Sequence, residues 1–206
     1  MKAEAYNPGQ RVGIFVDVQN LYHSAKNLYR ARVNYKELLK SLVADRELIR
    51  AMAYVVKSEG IIAQGEIRAS SFELKAGDAG KDTNGGKAPL SAEASFFEAL
   101  ETAGFELRLK DLQVWADGAK KADWDVGMAV DAIRMSSFLD VVILVTGDGD
   151  FIPLVEYLKW GTGRLVEVAA FHRSASSKLQ EAADRFIDLE HLPKVIMRSK
   201  IASRAR

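Results

Sequence analysis

Two runs of this chain, Val12-Gly-Ile-Phe-Val16 and Val141-Val-Ile-Leu-Val145, are apolar at every position and rich in β-branched residues. A strand with one wet face alternates apolar and polar residues. A strand without that alternation has both faces covered, the pattern of a parallel sheet between helices. The segments around these runs fit that reading. Residues 11–17 and 48–56 read as strands. The first is followed by a helix over 20–29 with Leu21, Ala25 and Leu28 on one face, and by a second over 35–43 with Leu38, Leu39 and Leu42 inward. Further on, a helix over 91–103 capped by Ser91, with Phe97 and Leu100 inward, precedes a strand at 105–109 and a loop at 111–121. A helix capped by Asp123 and running to 136 is expected to bury Val126, Ala129, Val130 and Ile133. After strand 141–145 come a helix over 151–160, a strand at 164–170, a helix capped by Ser174 or Ser176 and running to 183, and a short strand at 186–189. Strands alternating with helices of this length define an α/β fold with a parallel sheet covered on both faces. Residues 58–75 are ambiguous, with a strand or hairpin around 67–74, and the glycine-rich stretch 76–90 reads as a flexible loop or insertion.

Length and charge narrow the functional classes. At 206 residues the chain suits one compact domain, or a domain with an appendage. The net charge is +1, so any nucleic-acid binding must come from a local patch. The chain has no cysteine, which excludes disulfides, thiolate zinc sites and cysteine nucleophiles and suits a reducing cytoplasm. His23, His172 and His191 lack metal-binding spacing. The opening residues have no apolar signal core, and no run approaches the ~18 apolar residues of a membrane span. A cytoplasmic protein with no membrane association is expected. The last residues, from Lys194 to Arg206, carry five basic groups and no acid, most simply a solvated end.

The acids carry the chemistry. Asp17 closes the first apolar run, Asp148 and Asp150 follow the second in Thr146-Gly-Asp-Gly-Asp-Phe151, and Asp125 opens the helix leading into it. In right-handed βαβ units, strand C-termini and helix N-termini share one edge of the sheet, where ligands bind in open α/β folds. All four acids therefore fall on one edge, together with Lys57, Lys110, Lys121, His172 and Arg173. Carboxylates at the mouths of buried strands need partners, and several together are best neutralised by a divalent cation. Plainer readings stand beside this one. Asp148 suits an N-cap, Asp125 a first-turn acid complementing the helix dipole, and Asn20 either a cap or a residue that orients Asp17. Trp115 and Trp124 could stack bases, although core packing suits Trp124 equally well.

The three segments resemble the NYN domain family, the LabA-like branch of the PIN-like nucleases. That family has a strand ending in Asp with Asn three residues on, here Asp17 and Asn20. It has Lys followed by Asp-Val at the head of a helix, here Lys121 and Asp125-Val126. It also has a strand ending in Ser/Thr-Gly-Asp-x-Asp-Phe, here Thr146 to Phe151. The resemblance implies a PIN-like (Rossmann-like) three-layer domain over residues 11–190 with a central, mainly parallel sheet, an insertion at 76–90 and a basic tail at 191–206. It implies a Mg2+ or Mn2+ site built from Asp17, Asp125, Asp148 and Asp150, cutting RNA. Asn20 and Thr146 would orient carboxylates or waters, and Lys121 and Arg173 would hold phosphates. Two features depart from the pattern. The extra acid usual after the second strand has only Glu59 and Glu66 as nearby candidates, and 76–90 exceeds the family core.

The leading expectation is thus a metal-dependent endoribonuclease. The first alternative is a catalytically inactive PIN-like module that binds RNA or protein as a regulator. The second is a haloacid-dehalogenase-type phosphohydrolase, against which Gln19 stands where that chemistry needs a second Asp. No GxGxxG follows the first strand, so a dinucleotide site is disfavoured. The resemblance leaves a homodimer open, since related domains commonly pair.

Overall fold

The structure is a computed structural model and describes residues 6–57, 92–111, 113–114, 120–121 and 123–198. In chain order the elements are β1 (Arg11–Asp17), α1 (Val18–Tyr29), β2 (Ala31–Val33), α2 (Tyr35–Val43), β3 (Glu47–Lys57), α3 (Ala92–Thr102), β4 (Glu106–Asp111), β5 (Gln113–Val114) and β6 (Lys120–Lys121). They continue as α4 (Asp125–Ser136), β7 (Val141–Val145), α5 (Ile152–Glu156), β8 (Leu165–Ala170), α6 (Ser177–Ala182), β9 (Arg185–Asp188) and β10 (Ile196–Arg198).

Six strands form one parallel sheet in the order β4-β3-β1-β7-β8-β9. The order runs outward in both directions from β1 and β7, so the chain reverses its winding between these two strands. They are the two fully apolar runs, and their register sets Val16 beside Val145. Period-two alternation sends Val12, Ile14 and Val16 to one face, with Leu21 of α1 and Leu38 and Leu42 of α2. Phe15, Met52, Tyr54, Val142 and Leu144 point to the other, with Met128 of α4, Leu154 of α5 and Leu179 of α6. The result is a three-layer α/β/α fold, with every residue of β7 buried.

Several elements differ from expectation. The Asp123 cap is corrected, because the start of α4 lies one residue later, with Trp124 in the N-cap position and no side-chain cap bond. The expected buried face of α4 is also corrected. Met128, Ala132 and Ser136 are the buried residues, while Val126 is 75% exposed and Val130 and Ile133 also face out. On apolar character alone the β-branched residues would face inward. The helix instead lies close to the sheet, where small and flexible side chains fit. The single helix expected over 151–160 is a 3-10 turn at Gly149–Phe151, then α5, then a widened π turn at Tyr157–Gly161. The ends of the expected 111–121 loop pair antiparallel as β5 and β6. Beyond residue 190, β10 pairs antiparallel with β2, two strands the sequence reading did not contain. The expectations for 67–74, 76–90, the Ser91 cap, Trp115, Glu59 and Glu66 lie outside the described residues.

Candidate functional site

The site lies where β1 and β7 end. Asp17 is both the last residue of β1 and the N-cap of α1, its Oδ1 accepting a hydrogen bond from the Asn20 N–H at 3.0 Å. Asn20 is therefore not the cap. Its side chain reaches across to β7's loop, where Oδ1 accepts from the Gly147 N–H at 3.0 Å. Thr146, buried at the end of β7, donates its hydroxyl to Asp17 Oδ2 at 3.4 Å and accepts from the Asp148 N–H at 3.2 Å. These bonds tie the two strand ends into one unit. Gly147 fits closely there, since a Cβ would come 3.0 Å from the Cα of Ala175 in the loop after β8.

The carboxylates of Asp125, Asp148 and Asp150 gather beyond this unit, with one oxygen of each within 4.8 Å of the others. Asp148 also caps the following turn, its Oδ1 accepting from the Asp150 N–H at 3.0 Å. The capping and the clustering hold together, so the plain reading of Asp148 does not exclude the other. Asp17 does not join that close set, because its oxygens serve the α1 cap and the Thr146 hydroxyl. Its charge still reaches the cluster. Burial pushes the Asp17 carboxyl up and Asp148 adds to the effect, against the stabilising Asn20 N–H. Burial likewise pushes the Asp125 carboxyl up to about 6, and the charges of Asp123, Asp17, Asp148 and Asp150 push in the same direction. Asp123, read from sequence as a cap, thus adds negative charge to the site instead. Its position two residues from Asp125 was the available signal.

Trp124 holds the start of α4 in place. Its indole Nε1 donates to the Val55 carbonyl at 3.0 Å and its ring meets Tyr54 edge-on at 5.5 Å. Gly127 makes room, since a Cβ there would come 2.6 Å from the indole. Trp124 is a packing residue on this geometry. The Lys110 ammonium donates to the Asp123 carbonyl at 3.0 Å, bringing one of the expected cations beside Asp125. Arg173 is exposed on the loop after β8. In that loop His172 Nδ1 lies 2.8 Å from Gln180 Oε1. Lys121 belongs to β6 by its backbone. Asp131, further along α4, accepts from the Tyr54 hydroxyl at 3.0 Å and from Arg108 Nε at 3.2 Å, and takes no part in the cluster.

The donor set is three carboxylates, hard oxygen ligands of the kind Mg2+ and Mn2+ prefer. The Asp125 carboxyl, raised by burial and by the acids around it, suits a cation that compensates its charge.

A parallel α/β sheet with acids gathered at its reversal point defines the class, and comparison agrees. Residues 11–190 match the model of the NYN domain, and the chain belongs to that family, whose fold is PIN-like. A relative in Synechococcus elongatus, the low amplitude and bright protein LabA, is 25% identical over 114 residues, which covers 52% of this chain and 61% of LabA. The crystal structure of a protein of unknown function from Vibrio parahaemolyticus is similar with a TM-score of 0.72 and 28% identity, over 94% of this chain and 100% of the other. No helix among the described residues is long and apolar enough to cross a membrane.

Proposed function

We propose that this protein is a Mg2+- or Mn2+-dependent endoribonuclease, and that Asp125, Asp148 and Asp150 hold the ion. The observation that carries this reading is the convergence of three carboxylates from two separate segments, unrelieved by any cation in hydrogen-bond contact among the described residues. When bound, the ion supplies charge neutralisation at the phosphoryl oxygens and activation of an attacking water. Asp17 fixes the start of α1 and adds negative charge behind the cluster. Thr146 keeps Asp17 and Asp148 in register, and Asn20 holds the backbone that carries Asp148. Lys110, already beside Asp125, joins Lys121 and Arg173 in holding substrate phosphates. RNA as substrate rests on family membership. The absence of cysteine fits work in a reducing cytoplasm.

The test is cleavage of labelled single-stranded and hairpin RNAs by purified protein with Mn2+, Mg2+ or EDTA, wild type beside Asp148→Asn. Metal-dependent cleavage that vanishes in the variant is expected. A folded wild type that cuts nothing with either metal leaves the regulator as the better reading. Cleavage retained by a folded Asp148→Asn protein removes Asp148 from the mechanism.

A further inference from the structure

A second feature lies on the flank of the sheet, away from the carboxylates. Arg50 of β3, Arg108 of β4, and Asp131, Arg134, Met135 and Phe138 of α4 and the turn after it line a hollow of about 320 Å³. Arg134 lies nine residues along α4 from Asp125, about 14 Å at the helical rise. Its guanidinium is exposed, with no hydrogen-bond or ion-pair partner among the described residues. Arg50 bonds to Glu106 and Arg108 to Asp131, but both side chains are about half exposed. A guanidinium carries five N–H donors, so each keeps some free after satisfying its acid. The Phe138 ring is 41% exposed and Met135 is half-buried beside it.

Free guanidinium donors next to an open aromatic ring suit a nucleotide. The phosphate meets the arginines, while the base stacks on the ring or on a guanidinium plane. The hollow is also connected to the site. Arg108 and Lys110 are alternate residues of β4 and so share a face, about 7 Å apart, and Lys110 reaches the Asp123 carbonyl beside Asp125. Cations thus mark a path from the hollow to the carboxylates. The surplus of positive charge and its direction favour a polyanion over a protein partner, for which the apolar outer stripe of α4 is the better surface.

We propose that this hollow is a remote strand-binding subsite, taking a nucleotide of the RNA about 4 stacked residues from the bond at the carboxylates, at ~3.4 Å per nucleotide. The proposal rests on the ribonuclease reading and gives that site a substrate preference: strands long enough to span both places.

The experiment measures anisotropy of labelled single-stranded RNAs of about 3 and about 12 nucleotides, chosen to fall short of and exceed that span. Asp148→Asn protein is used so that no strand is cut. Added to that background are Arg134→Glu, Phe138→Ala and, as a charge-matched control on the opposite face, Lys40→Glu, each checked for an unchanged melting temperature. The long strand is expected to bind more tightly than the short one. Arg134→Glu should reduce that ratio roughly tenfold, the worth of one charge-assisted contact. It should also lower the slope of log affinity against log salt by about 0.7 for the long strand only. Phe138→Ala should reduce the ratio without changing the slope, and Lys40→Glu should change neither.

Equal losses for both lengths, an unchanged ratio in Arg134→Glu, or no RNA binding at all would overturn the subsite. So would competition by a mononucleotide as strong as that by the long strand, which would make the hollow a free-nucleotide site. A lost ratio in Arg134→Glu with no cleavage by wild type upholds the subsite and refutes the nuclease. Cleavage by wild type with an unchanged ratio does the reverse.

Discussion

The two ends of the parallel sheet treat acids in opposite ways. At the end where β1 and β8 begin, acids are paired. Glu167 is buried and accepts two hydrogen bonds from the buried Arg46, at 3.0 and 3.1 Å, with Arg185 3.9 Å away. Asp140 takes three bonds from Arg11, which hold its carboxyl far below the usual carboxylate range. At the other end, Asp125, Asp148 and Asp150 crowd together and the Asp125 carboxyl is pushed up to about 6. The chain therefore has arginines where an acid is part of the framework and leaves acids crowded together at the proposed cation site. Charge frustration at one end, in a fold that satisfies its charges at the other, is the physical mark of the site.

The largest effect that would break this comparison is at the frustrated end: Asp148→Asn should abolish cleavage while circular dichroism and melting stay close to wild type. At the satisfied end, Arg46→Met strands Glu167 in the core and should destabilise the fold by about 3–5 kcal/mol in denaturant titrations. Replacing Glu167 by Met as well should recover much of that loss. If Arg46→Met alone leaves stability unchanged, the pair does not have the framework role given to it here.

Asn20→Ala is intermediate. It removes the acceptor for the Gly147 N–H and loosens the backbone carrying Asp148, so cleavage should fall about 10–100-fold, the usual range for groups that orient ligands. Metal affinity should fall with it. A loss of stability with unchanged turnover per folded molecule would reduce Asn20 to scaffolding.

The smallest effect is a pH dependence. The Asp125 carboxyl titrates near 6 in the folded protein and about two units lower when unfolded, so the folded state holds a proton that the unfolded state has released. That contribution to stability is present at low pH and fades as pH rises through about 6. In EDTA, wild type should therefore lose melting temperature relative to Asp125→Asn between about pH 4 and 6, a window set by the ordinary and raised carboxylate values. Mn2+ should restore wild type only, and its affinity should weaken below about pH 6, where it competes with the proton. Parallel pH curves for the two proteins would contradict the frustration of Asp125.

Much of this was legible in the sequence. The runs of β1 and β7 gave away a sheet buried on both faces, because no water-facing strand has so little polarity. Right-handed connection then put Asp17, Asp125, Asp148 and Asp150 on one edge without any coordinates. What was not legible depends on distances of a few ångströms. Whether Asp17 joins the close carboxylates or serves α1 depends on where its two oxygens point. The inward face of α4 depended on how closely the helix approaches the sheet, which selects Met128 and Ala132 over the β-branched residues next to them. β2 and β10 are three residues each and pair across most of the chain, so neither carries a local signal. The paired acids could not be foreseen either, since Arg46 and Glu167 lie 121 residues apart.

The most direct test is calorimetric titration of Mn2+ into the metal-free protein at about pH 6, where Asp125 still holds part of its proton, wild type beside Asp148→Asn. Saturable binding to wild type is expected, with protons released as Asp125 ionises, and its loss in the variant. Absence of binding to folded wild type, or equal binding to both proteins, would contradict the claim that these acids are left unpaired in order to hold a cation.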